Sequence, residues 1–144
     1  MKSIVIGTDG SPTAQAAVRA AVDLVGDGDV HIHLVGACRP LSALVSAEPA
    51  GMLLAVEAEQ ARLDSLQESL TEDAKRLAAQ GLTVSSHAAV GDPADLIISM
   101  AEQVRADLIV VGNRGMQGAR RFLGSVPNRV SHHAPCTVLV VRTT

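Results

Sequence analysis

Aromatic side chains and cysteines are nearly missing from this chain of 144 residues. Phe122 is its single aromatic residue of the Phe, Tyr and Trp type. Proteins that bind single-stranded nucleic acids stack the bases on aromatic rings, so that mode of binding is excluded. Two cysteines, Cys38 and Cys136, are too few to form a disulfide scaffold.

Long hydrophobic runs are missing as well. No apolar stretch approaches the roughly 20 residues that a membrane-spanning helix needs. The first ten residues, MKSIVIGTDG, contain one lysine and an apolar run of residues 4–6, which is too short for a secretory signal. The sequence therefore predicts a cytoplasmic protein that does not enter a membrane.

Acidic residues are missing from the last quarter of the chain. The net charge is -3, which argues against general affinity for nucleic acids or anionic membranes. Asp107 is the last carboxylate, and residues 108–144 contain five arginines. This distribution indicates either a local site for an anion or a basic, solvated face.

The apolar pattern predicts alternating strands and helices in one domain, residues 1–144. Strands are predicted at residues 2–7, 30–37, 82–89, 107–112 and 137–142. Helices are predicted at residues 13–25, 53–80, 94–105 and 120–133, the last interrupted near Pro127, and residues 39–51 are assigned to a loop. Ser11-Pro12 and Asp92-Pro93 are typical helix starts. The order predicts a three-layer α/β/α domain with a parallel sheet, whose ligands bind beyond the carboxyl ends of the strands.

A glycine-rich stretch after the fourth strand is the strongest functional signal. Gly112-Asn113-Arg114-Gly115 is followed, after eight residues, by Gly124-Ser125. Glycine turns expose backbone amides that suit an anion, and the arginines at positions 114, 120 and 121 add positive charge. Phosphate uses all of these features, although the same glycines could serve turns and packing alone.

A carboxylate follows the first strand. Asp9, after Gly7-Thr8, could accept hydrogen bonds from the hydroxyls of a ribose. It could equally form an Asx turn with Ser11 at the start of the first helix. The residues alone leave these two roles open.

Several familiar catalytic patterns are missing. The chain has no phosphate-binding loop that ends in lysine, no dinucleotide fingerprint after its first strand and no nucleophile elbow. His31 and His33 share one face of the second strand and could be joined with Cys38 in a metal site, but further ligands at metal spacing are lacking. No general base lies near the proposed phosphates, so we predict no catalytic residue and at most slow hydrolysis.

Taken together, these motifs resemble the universal stress protein family, and the likeness extends over essentially the whole chain. It rests on Gly7-Thr8-Asp9-Gly10-Ser11, on residues 112–125, and on the closing stretches 125–127 and 134–141. The nucleotide-binding branch of that family separates its second and third glycines by nine residues. Here the gap between Gly115 and Gly124 is eight, which puts the path of the loop in doubt rather than its anchors.

The resemblance implies a five-stranded sheet of order 3-2-1-4-5, as in the adenine nucleotide alpha hydrolase-like fold. It also implies an adenine nucleotide site, with Asp9 on the ribose and Val35 on the adenine. The other implied site residues are Gly7, Thr8, Val111, Gly112, Arg114, Gly115, Gly124, Ser125 and Val126. ATP with Mg²⁺ is the expected ligand and cyclic AMP the alternative, because three loop arginines suit several phosphates better than one.

The resemblance further implies a homodimer that forms through the last strand, residues 137–142, in a protein of the stress response. Two other classes stay open at this point. One is an interaction protein that forms a dimer and binds no nucleotide. The other is an enzyme that activates a substrate with ATP, for which 144 residues leave little room beyond residues 39–51.

Overall fold

The computed structural model describes residues 1–26, 28–41, 48–113 and 125–143. The strands are β1 (Lys2–Gly7), β2 (Val30–Cys38), β3 (Thr83–Val90), β4 (Leu108–Gly112) and β5 (Thr137–Val141). The helices are α1 (Pro12–Val25), α2 (Pro49–Ala78), α3 (Pro93–Gln103) and α4 (Ser125–His133). Strands and helices alternate along the chain, as the apolar pattern predicts.

All strand pairs are parallel, and the sheet has the order β3-β2-β1-β4-β5. The predicted fold class and strand order are therefore confirmed. β2 and β3 lie on one side of β1, and β4 and β5 lie on its other side, so the strand order reverses at β1. The gap beside the carboxyl end of β1 is the place where an open α/β sheet offers room for a ligand.

The two faces of the sheet bury two apolar layers. Ile4, Ile6, Ile32 and Leu34 pack with α1 and α2 on one face. On the other face, residues of β1, β2 and β4 pack with α3 and α4: Val5, Val35, Ile109, Val111, Ala94, Ile97, Ala101 and Val130. Alternate residues of each strand thus enter opposite layers, and both faces are covered as in other parallel sheets.

Two helix predictions need correction, and proline is the reason in both. α2 begins at Pro49, four residues before the predicted start, because proline is well suited to the first position of a helix. α4 runs without interruption through Pro127. Pro127 is the third residue of this helix, where the amide that proline lacks has no partner within the helix.

The outer edge of β3 is covered at its centre by a side chain from α2. The amide of Ala88 donates to Oε1 of Gln67 at 3.1 Å, and Nε2 of the same glutamine donates to Oγ of Ser86 at 3.1 Å. A second strand that paired with β3 would have to displace these bonds. The glutamine therefore protects this edge against unwanted pairing.

Candidate functional site

A cavity of about 490 Å³ opens at the carboxyl ends of β1, β2 and β4. Its volume lies within the range of roughly 300–1,000 Å³ that is typical of small-molecule sites. Of the eleven predicted site residues, seven line it: Gly7, Thr8, Asp9, Val35, Val111, Gly112 and Val126. Ser125 does not line it, and Arg114, Gly115 and Gly124 lie outside the described residues.

The turn after β1 holds Asp9 at the mouth of the cavity. Oδ1 of Asp9 accepts a hydrogen bond from the amide of Ser11 at 3.0 Å, so the predicted Asx turn is present. Thr8 is buried, and its Oγ1 accepts from the amide of Gly10 at 3.1 Å. Gly10 has a φ of 77°, a left-handed conformation that favours glycine. The carboxylate of Asp9 is therefore both oriented by the turn and exposed at the cavity.

Helix α1 begins against the same cavity. Oγ of Ser11 caps it by accepting from the amide of Ala14 at 3.2 Å, and Pro12 occupies its first position. Thr13 and Ala14 from this first turn line the cavity, although the sequence did not single them out. The amino end of a helix has a partial positive charge, which attracts anions.

Helices α3 and α4 also begin at the cavity. Asp92 caps α3 by accepting from the amide of Asp95 at 3.1 Å, and Pro93 lines the cavity. Val126 and Pro127, in the first turn of α4, line it as well. The amino ends of three helices therefore meet at one cavity, and each of these ends has a partial positive charge.

The close approach of α3 to β1 forms one wall of the cavity. A Cβ atom on Gly7 would lie 2.6 Å from Cδ1 of Ile97, which is closer than packed atoms allow. Ile97 is buried and lines the cavity. Glycine at the end of β1 therefore lets the helix and the strand meet, and a larger residue there would have to displace the end of the Ile97 side chain.

The end of β2 supplies the opposite, mostly apolar wall. Val35, Ala37 and Arg39 line it. Arg39 lies 3.6 Å from Oδ1 of Asp92, whose Oδ2 accepts from Arg129 of α4 at 2.7 Å. Asp92, and after it Asp95, raise the pKa of Arg129 above its usual value. These ion pairs connect the rim of the cavity with the helices α3 and α4.

Three imidazoles lie on the sheet face that also contributes Val35 to the cavity. The rings of His31 and His33 stack with centroids 4.0 Å apart, and Nδ1 of His33 lies 3.4 Å from Nε2 of His87. Burial first, and then the neighbouring His31 and His87, lower the pKa of His33 to about 4. Burial also lowers the pKa of His87. The sequence placed His31 and His33 together correctly but did not connect them with His87.

The structure separates Cys38 from His31 and His33, the three side chains that were weighed as a metal site from the sequence. Cys38 is an odd number of residues from both histidines along β2, so its side chain projects from the other face of the sheet. In the part of the chain that the structure describes, no group of three or more His, Cys, Asp or Glu side chains could hold a metal ion. Within those same residues, no helix combines the length and apolarity that a membrane crossing would require.

Fold and cavity together define a class: an α/β domain with a cleft where its strand order reverses. A model of the universal stress protein family matches residues 1–142. The chain belongs to this family.

Similar proteins span nearly the full length of this chain. The universal stress protein Rv1636 of Mycobacterium tuberculosis is 36% identical over 146 residues, which cover 99% of this chain and 97% of that protein. The universal stress protein UspA of Lactobacillus plantarum has a TM-score of 0.81 at 25% identity, covering 98% of this chain and 97% of that chain. A universal stress protein solved in complex with cAMP has a TM-score of 0.70 at 32% identity, covering 99% and 98%.

Proposed function

We propose that this protein binds an adenine nucleotide in the cavity at the end of β1 and acts as a regulatory protein of the stress response. The observation that supports this most directly is the meeting of three helix amino ends with an oriented carboxylate, Asp9, around one cavity. The helix ends suit phosphate, and a carboxylate suits ribose hydroxyls. The solved relative with bound cAMP supports an adenine nucleotide as the ligand class.

In the proposed arrangement the ligand lies across the ends of the strands. The base packs on Val35, the ribose contacts Asp9, and the phosphates approach Gly112 and the start of α4 at Val126. By family resemblance, Arg114, Gly115, Gly124 and Ser125 complete the phosphate site. The ends of β2 and β4 lie on opposite sides of β1, so this arrangement assigns the base and the phosphates to opposite sides of the cavity.

Two ligands within this class have separate support. ATP with Mg²⁺ is favoured by the three arginines of the glycine-rich stretch, at positions 114, 120 and 121, because several phosphates use more positive charge than one. Bound Mg²⁺ would supply further charge on the phosphates, and with no general base proposed here any hydrolysis is slow. Cyclic AMP is favoured by the complex of the relative that is 32% identical.

Calorimetric titration with ATP, ATP plus Mg²⁺, AMP and cAMP tests this proposal. We expect saturable binding of adenine nucleotides. The affinity should fall in the variant Asp9→Ala, and it should also fall for ligands that lack the 2′- and 3′-hydroxyls. Tighter binding of cAMP than of ATP would assign the cyclic nucleotide as the ligand. Absence of binding for all four compounds would overturn the proposal and favour an interaction protein without a nucleotide.

We further propose a homodimer that pairs through β5. This edge strand is apolar, TVLVV, and its valines and leucine are only partly buried. The edge at β3 is protected by Gln67 instead.

A lysine on an edge strand discourages pairing, so we expect Val140→Lys to give monomers by analytical ultracentrifugation. Thr83→Lys, on the exposed start of β3, should leave the dimer intact, and a monomeric wild type would contradict the proposal.

A further inference from the structure

The segment after β5 returns to the cavity and is held there by one buried side chain. Asn113 follows the last residue of β4, and its side chain is 7% exposed. The backbone amide of Asn113 donates to the carbonyl oxygen of Val141 at 2.9 Å, which continues the pairing of β4 with β5 by one residue. This bond brings the chain that follows β5 next to the start of the glycine-rich stretch.

The side-chain oxygen of Asn113 then fixes Thr143 twice. Oδ1 accepts from the amide of Thr143 at 2.9 Å and from its Oγ1 at 3.0 Å. Because both donors belong to one residue, this pair of bonds sets the position of its backbone and the rotamer of its side chain together. Thr143 lines the cavity, beside Gly112 and across from Val35.

An amide side chain suits this position better than other polar residues. A carboxylate at position 113 could accept the same two bonds, but its charge would repel an anionic ligand near Gly112. A serine would be too short to reach Thr143 from the same backbone position. The buried, neutral side chain of Asn113 therefore connects the chain after β5 to β4 without repelling a phosphate.

We propose that Asn113 is a positioning residue, which holds Thr143 as the wall of the nucleotide site that faces the phosphate. This inference rests on the proposed function, since it assigns a ligand contact in the same cavity. It extends the site to the chain after β5, which neither the glycine pattern nor the family's motif includes. Affinity for the phosphate-bearing part of the ligand then depends on the two bonds of Asn113.

Titration with AMP and with adenosine separates this role from a general loss of stability. Loss of hydrogen bonds that position a site wall costs about tenfold in affinity, so we expect Asn113→Ala to weaken AMP binding about tenfold. Adenosine binding should fall by no more than about threefold, because adenosine lacks the group that this wall faces. A variant that was merely less stable would lower both affinities by the same factor.

Thr143 offers a milder pair of variants in case Asn113→Ala fails to fold. Thr143→Val keeps the shape and the amide bond but removes the hydroxyl donor, and we expect it to weaken AMP binding by about three- to fivefold. Thr143→Ser retains the hydroxyl and should restore most of the affinity. Gln67→Ala is the control, because it removes partly buried hydrogen bonds at the distant β3 edge and Gln67 does not line the cavity.

The outcomes separate the inference from the proposed function. A wild type that binds none of ATP, AMP, cAMP and adenosine overturns the proposed function, and the inference with it. If the wild type binds ATP or cAMP but not AMP, the nucleotide that binds replaces AMP in the comparison with adenosine. A wild type that binds AMP while Asn113→Ala and Thr143→Val bind it equally well overturns the inference alone. Equal losses for AMP and adenosine, or a loss in Gln67→Ala as large as in Asn113→Ala, also overturn it.

Discussion

We expect Ala37→Trp to abolish nucleotide binding while the protein stays folded. Ala37 lines the cavity from the end of β2 and is partly exposed there. An indole at this position would occupy the space that we assign to the base, next to Val35. Loss of that space should weaken binding by at least about a hundredfold, since the base could no longer enter beside the apolar wall. Calorimetry with AMP measures the loss, and circular dichroism checks the fold.

The neighbouring strand offers a matched control for this variant. Ala89 of β3 is paired in register with Ala37 and is also partly exposed, yet it does not line the cavity. Ala89→Trp places the same bulky residue one strand away and should retain nucleotide binding within about threefold. If Ala37→Trp binds AMP as tightly as the wild type, the nucleotide occupies another part of the molecule.

The fold was predictable because each element contains its own signal. The apolar, β-branched run that ends at Gly7 is typical of a buried parallel strand, and Ser11-Pro12 marks the start of the first helix. The errors occurred where a local signal had two meanings. Proline ends helices but is also well suited to their first turn. Pro49 was therefore assigned to a loop and Pro127 to an interruption, although both lie inside helices.

The site was predictable in part, for a related reason. Residues that follow strands, such as Asp9 and Gly112, could be selected because parallel strands bring their carboxyl ends to one edge. Thr13 and Pro93 could have been found too, since their helix caps were recognised but were not connected with the predicted cavity. Thr143 could not, because its place at the cavity depends on its bonds with Asn113, 30 residues earlier in the chain.

We expect the histidine cluster to make the fold sensitive to acid. His33 lies in register with Val5 on one side and with Ser85 on the other, while His31 and His87 are its titratable neighbours. The α3 side chains buried against the sheet are the apolar Ala94, Ile97 and Ala101. Among the described residues, burial, His31 and His87 lower the pKa of His33 to about 4, and no carboxylate opposes them. Protonation of this 7% exposed imidazole in the folded protein is correspondingly unfavourable.

The direction of the pH effect on stability follows from which state, unfolded or folded, binds the proton more readily. The unfolded chain takes up a proton on this histidine below about pH 6.5, whereas the folded protein resists it until about pH 4. The stabilising contribution is complete above pH 6.5 and is lost as the pH falls through this window. Between pH 7.5 and 4.5 we expect His33 alone to remove roughly 2 to 3 kcal/mol from the free energy of unfolding.

Urea denaturation at both pH values measures this loss, and two variants isolate its source. His33→Gln has no group to protonate at this position, so it should lose roughly 2 to 3 kcal/mol less than the wild type over the same interval. His132→Gln, which changes an exposed histidine near the end of α4, should keep the pH dependence of the wild type. If His33→Gln responds to acid as strongly as the wild type, carboxylates elsewhere cause the acid sensitivity and the stacked imidazoles do not.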